Sequence, residues 1–153
     1  MSNRTRDQIA ADAIIAEIKA KEDWTQGFLI VRRYVAAQDK AETAQLNLLV
    51  QANGTTERRI TKRHREAMHG ITITVRRNVD PKNVAAVDAL SAFVEELADF
   101  FRVPRGRKKI AGTNVYVASV QAVPVNPDEF ESSLNFVAGV ALTLSELVDD
   151  VQT

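Results

Sequence analysis

Apolar residues recur along this chain with two different periods, and the alternation between them lays out its elements. From about Arg4 to Lys21, Ile9, Ala13, Ala16 and Ala20 fall on one stripe with Ile14 and Ile18 beside it. Nothing there breaks a helix, so the segment predicts one. Gly27 punctuates the chain, and Phe28 to Val35 reads as a strand. Gln45 to Ala52 predicts a second, with Leu46, Leu48 and Val50 on one face. It runs into Asn53-Gly54, a pair whose residues both accept positive φ, which predicts a type I′ hairpin turn. The returning strand would span roughly Thr55 to Thr61, and its basic residues place it in an exposed ribbon.

Gly70 opens the next strand, where Ile71, Ile73 and Val75 alternate with Thr72, Thr74 and Arg76. Asp80-Pro81 then reads as a helix start, with Asp as the cap and Pro in the first helical position. Val84, Val87, Leu90, Val94, Leu97 and Phe101 repeat at three and four residues, with Phe93 and Phe100 widening the stripe. Val103-Pro104 and Gly106 end this long helix. Asn114 to Val123 is a further strand, and Asn126-Pro127-Asp128-Glu129 starts a short helical turn. In the last strand Leu134, Phe136, Ala138, Val140, Leu142 and Leu144 hold one face, while the other is nearly all small. That small face lets a helix of the same chain or a neighbouring subunit approach closely. The order predicts one α+β domain: an antiparallel or mixed sheet of about four to six strands, with an N-terminal helix and one long helix packed on one face. A basic ribbon or loop covers about 54–69, and a mobile end begins near 147.

Composition adds exclusions more than assignments. A chain of 153 residues, 45% hydrophobic and 26% charged, is long enough for one buried core. It has no cysteine, which excludes disulfides and thiolate metal sites. The polar start from Met1 to Asp12 lacks the apolar run of a signal peptide, and no stretch reaches the length of a membrane span. The expected compartment is the cytosol, or a particle assembled there.

Net charge is zero but unevenly placed. All 20 bases precede Ile110, against 14 of the acids, so the first part carries +6 and the remainder −6. Such asymmetry suggests complementary surfaces within the subunit or between copies, unless acids and bases merely neutralise one another inside one fold. Arg58, Arg59, Lys62, Arg63 and Arg65 form one basic cluster; Arg102, Arg105, Arg107, Lys108 and Lys109 form another. Clusters of this kind contact phosphate backbones, pair with acidic protein surfaces, or are simply solvated loops. Aromatic partners for single-stranded nucleic acid are absent nearby, as is any helix-turn-helix or RNA-binding motif.

Catalytic signatures are missing. The six glycines never form a GxGxxG or Walker loop, and no serine lies in a GxSxG elbow. His64 and His69 are five apart in a basic segment with Glu66 the sole acidic neighbour, which reads as a solvated loop and not a metal site. Glu95-Glu96 on the long helix reads as a solvated face. No catalytic residue, cofactor or metal is expected.

The layout resembles the tail terminator proteins of long-tailed bacteriophages, also called tail-completion or head–tail joining proteins. The resemblance lies in element order: a strand ending in Arg32-Arg33, the Gln45–Ala52 strand with its basic extension, Ile71–Arg77, the Asp80–Phe101 helix and the late strands through Leu134–Leu144. It implies a structural virion protein, assembled in the host cytoplasm into a homo-oligomeric ring, commonly a hexamer, at the head–tail junction. Such a ring ends tail-tube growth, contacts the tail-tube protein and the neck or connector proteins, and lets genomic DNA pass. The expected interface sets Arg58, Arg59, Lys62, Arg63, Arg65, Arg105, Arg107, Lys108 and Lys109 against acids such as Asp128, Glu129 and Glu131. The alternatives are a small nucleic-acid-binding protein using the same bases, and an enzyme with a site built from scattered carboxylates and a histidine.

Overall fold

The computed structural model describes residues 4–33, 45–103 and 106–149. Three helices and five strands follow in the order α1 (Arg6–Ala20), β1 (Leu29–Arg32), β2 (Asn47–Arg59), β3 (His64–Asn78), α2 (Val84–Phe100), β4 (Val115–Val123), α3 (Pro127–Ser133) and β5 (Asn135–Asp149). The strands form one mixed sheet in the order β1-β2-β3-β5-β4. β1 runs parallel to β2, and every other pair is antiparallel. The chain is α+β, with the sheet size that its periodicity predicts.

One face of the sheet builds the core. Leu48, Val50, Ile71, Ile73, Val75, Phe136, Val140, Leu142 and Leu144 alternate inward and join Ile14, Ile18, Leu90, Phe93 and Leu97 in a single buried cluster. In α2 the buried residues follow the expected stripe from Leu90 onward, whereas Val84 at its start is exposed. In α1 they do not. Ala10, Ala11, Ile14 and Ile18 are buried, whereas Ile9, Ala16 and Ala20 are exposed. The helix turns the stripe with the larger aliphatic residues inward and leaves the alanine-rich one outside. Trp24, which no pattern had marked, closes this end of the core. Its ring meets Phe28, Phe93 and Phe100 edge-on, and its Nε1 donates to the Ile18 carbonyl at 2.9 Å.

The expected hairpin at Asn53-Gly54 is not a turn. β2 runs straight through it, with the register slipping by one residue between Ala52 and Thr55. Gly54 (φ 106°) supplies the left-handed step that this bulge needs. Its N–H is taken by Asp7 Oδ2 at 2.9 Å, so the bulge is tied to the start of α1. The real turn is Ile60–Arg63. There the Ile60 and Thr61 N–H groups donate to the His64 carbonyl, and Thr61 Oγ1 accepts from the His64 N–H at 3.0 Å.

Two further boundaries move. Asp80 does not cap the long helix; its Oδ1 accepts from Lys82 N–H in a turn, and Asn83 caps α2 instead, accepting from Ala86 N–H at 3.2 Å. Leu134 is not the first residue of the final strand's apolar face. It adopts the left-handed conformation (φ 58°) that ends α3 and is exposed. The strand then reaches further than expected, to Asp149, with Leu147 and Val148 paired to Glu66 and Arg65.

Candidate assembly surfaces

Beyond the core the sheet narrows into a long ribbon. Residues 55–59 of β2 and 65–69 of β3 form its hairpin, and the end of β5 runs alongside. Its tip from Arg58 to Arg63 carries four bases and no acid. These residues are not equivalent. Arg58 lies opposite Glu66, with Nη2 at 3.4 Å from Oε1, and Arg65 reaches Glu57 at 2.9 Å. Arg59 donates to the Lys62 carbonyl at 3.0 Å and so helps close the turn. Lys62 and Arg63 make no side-chain hydrogen bond or ion pair with any described residue. Exposed between them and Arg59 is Ile60, which leaves an apolar side chain at the centre of a basic tip.

The second cluster is dispersed. Arg105 lies outside the described residues. Arg102 pairs with Asp99 at 3.0 Å. Lys108 belongs to the fold: its Nζ donates to the Phe100 carbonyl at 3.0 Å and stands 3.5 Å from the Phe100 ring centroid. That position satisfies a carbonyl at the C-terminal end of α2 and favours a cation there. Loss of water around it lowers the Lys108 pKa, and the Glu17 carboxylate opposes part of that shift. Arg107 and Lys109 are exposed.

The acids lie at the other end of the sheet. Asp128 and Glu129 occupy the first turn of α3, where the helix dipole favours them, and Glu131 follows on its exposed surface. Asn126, not either acid, provides the cap by accepting from the Asp128 and Glu129 N–H groups. From Phe136 to Asp149, β5 advances about 40 Å. The acids of α3 and the basic tip therefore occupy opposite ends of the subunit and cannot neutralise one another within it. Glu146 does fall beside the ribbon, opposite Ala67, and lies 3.6 Å from Arg6, so part of the sequence's charge split closes inside the chain.

A histidine that the sequence places in a solvated loop sits in the interior. His69 is fully buried on β3, with Nδ1 at 2.8 Å from Thr55 Oγ1 and Nε2 at 3.0 Å from Glu146 Oε1. Arg6 of α1 approaches the same carboxylate oxygen at 3.6 Å. His69 lies in phase with Ile71, Ile73 and Val75, and extending that alternation back through Gly70 would have found it. His64 is half-buried and pairs with Asp149 in the sheet, so it too belongs to a strand. No group of three or more His, Asp or Glu side chains among the described residues is arranged to hold a metal ion.

The end of the sheet near α3 also carries an apolar cavity of about 320 Å³. Val94 and Glu95 of α2, Ala122 of β4, Val125, and Phe136 and Ala138 of β5 wall it. Glu95 stands exposed at its rim and, like Asp88, makes no side-chain hydrogen bond or ion pair with any described residue. α2 holds four acids and no base. No described helix is long and apolar enough to cross a membrane. No family model and no curated protein sequence matches the chain.

Proposed function

We propose that this chain is a structural subunit that assembles with its own copies into a ring at the head–tail junction of a bacteriophage, ending tail-tube growth and joining tail to neck. One observation carries the reading: a basic ribbon tip and an acidic helical end lie about 40 Å apart along one continuous strand of the sheet. Opposite charges at opposite ends favour a heterologous contact, in which one side of a subunit fits a different side of the next. Repetition of that contact closes a ring when the rotation per subunit is right. The resemblance of the sequence's element order to that of tail terminator proteins suggests the biological setting, with tube protein on one rim, neck proteins on the other and genomic DNA passing between.

Static light scattering across concentration and ionic strength, with negative-stain microscopy of the same samples, tests the reading. Annular particles of defined mass that weaken as salt screens the charges are expected. A monomer indifferent to both variables overturns it. A mobility-shift assay at low salt separates the rival in which the bases bind nucleic acid; tight, salt-dependent binding by a chain that never self-associates would favour that rival.

A further inference from the structure

The geometry points to a specific seat for the ribbon: Ile60 of one copy enters the cavity between α2 and β4 of the next, and the tip bases face the acids around it. This deepens the assembly reading and rests on it. Three features converge. Ile60 is a half-exposed aliphatic side chain at the far end of the ribbon, flanked by Arg59, Lys62 and Arg63, so the tip presents apolar surface within a basic rim. The cavity is lined mainly by apolar side chains, and its volume of about 320 Å³ admits an aliphatic side chain. Acids stand beside it: Glu95 is on the rim, Glu129 of α3 lines the adjoining hollow that shares Val125, and Asp88 lies two turns before Glu95 on α2.

The ribbon tip cannot reach the cavity of its own subunit. Phe136, in the cavity wall, is about 40 Å along β5 from the residues beside the tip. A second copy meets the requirement, because each subunit presents both the basic apolar tip and the acidic apolar seat. The contact is heterologous and uses each surface once per subunit, as a closed ring needs. The apolar contact supplies affinity, while the charges set orientation and speed association.

The absence of cysteine makes a direct test available. The double variant Ile60→Cys/Ala122→Cys is oxidised mildly and run on a non-reducing gel. Covalent dimers and higher multimers are expected, and the pair Ile60→Cys/Asn114→Cys, with the second cysteine at an exposed site away from the cavity, should give few. In parallel, Glu95→Lys and Arg63→Glu should each weaken self-association about tenfold, and the combined variant should recover most of it. Circular dichroism confirms that each variant folds. Assembly by light scattering, without the Ile60–Ala122 cross-link or charge-swap recovery, overturns this seat and leaves the ring reading standing. A chain that remains monomeric throughout overturns both.

Discussion

His69 Nε2 lies 3.0 Å from Glu146 Oε1, joining two strands across the interior through a histidine that water does not reach. With Glu146 accepting, Nε2 carries the hydrogen and Nδ1 accepts from the Thr55 hydroxyl, which satisfies both ring nitrogens. Replacing the ring by an apolar one would remove a hydrogen-bond partner from both the Glu146 carboxylate and the Thr55 hydroxyl. His69→Phe should therefore cost about 1–3 kcal/mol, or roughly 3–10 °C in Tm for a chain of this size. Thr55→Val, which removes only the outer partner, should cost about 1 kcal/mol. Thermal denaturation compares them, and an unchanged Tm for His69→Phe would refute the structural role.

Gly139 is constrained by its neighbour strand and not by φ. A Cβ built there would meet the Ile73 carbonyl oxygen at 2.6 Å, and that oxygen belongs to the backbone of β3. Gly139→Ala should destabilise by about 1–3 kcal/mol, because the β3–β5 pairing itself must move. Gly70→Ala is the matched control, since its added methyl would meet only the Asn53 side chain at an ordinary 3.5 Å. Urea unfolding midpoints should separate the two variants clearly; equal midpoints would contradict the close approach.

Much of this architecture is legible in the periodicity. The stripe from Leu90 to Phe101 and the alternation from Phe136 to Leu144 each fit one period over many residues, and both become the core. The failures occur where one local signal serves two structures. Asn53-Gly54 suits a hairpin turn and a bulge equally, and only the partner strand at Arg65–His69 decides between them. The true turn at Thr61-Lys62-Arg63 contains neither Gly nor Asn, so it carries no strong signal. Asp80-Pro81 and Asn83 compete to cap α2, and a three-residue choice of this kind is settled by how the chain leaves β3. The basic and acidic clusters are visible in sequence, but their separation along β5 and the gap beside Ala122 are tertiary facts.

Asp7 links stability to pH. Partial burial pushes its carboxyl up, but hydrogen bonds from the Thr5 hydroxyl and from the N–H groups of Gly54, Asp7 and Gln8 outweigh this and hold it below its ordinary 3.8. A depressed folded-state value means the carboxylate stabilises the fold fully above the unfolded value and loses that contribution as pH falls through the folded one. Asp7→Asn should therefore be less stable than the parent near neutral pH, with the gap closing below about pH 4. Urea midpoints from pH 6 to 2 provide the measurement. A gap independent of pH would show that the hydrogen bonds, and not the charge, account for the effect.

The acids of α3 allow folding and assembly to be separated. Asn126 already caps this helix and Phe130 anchors it against Phe136, with ring centroids 5.8 Å apart. Asp128 and Glu131 are exposed, so neutralising both should change stability by no more than about 0.5 kcal/mol. The same change removes two of the charges that would face a neighbour's basic tip. Asp128→Asn/Glu131→Gln should thus keep the parent Tm while shifting the concentration dependence of light scattering upward and flattening its response to salt. Lys108→Met should do the reverse, lowering Tm through the lost contact with the Phe100 carbonyl while leaving the salt response intact. If the α3 variant assembled as the parent does at every ionic strength, these acids would be ordinary solvated surface and charge matching would have to involve α2 alone.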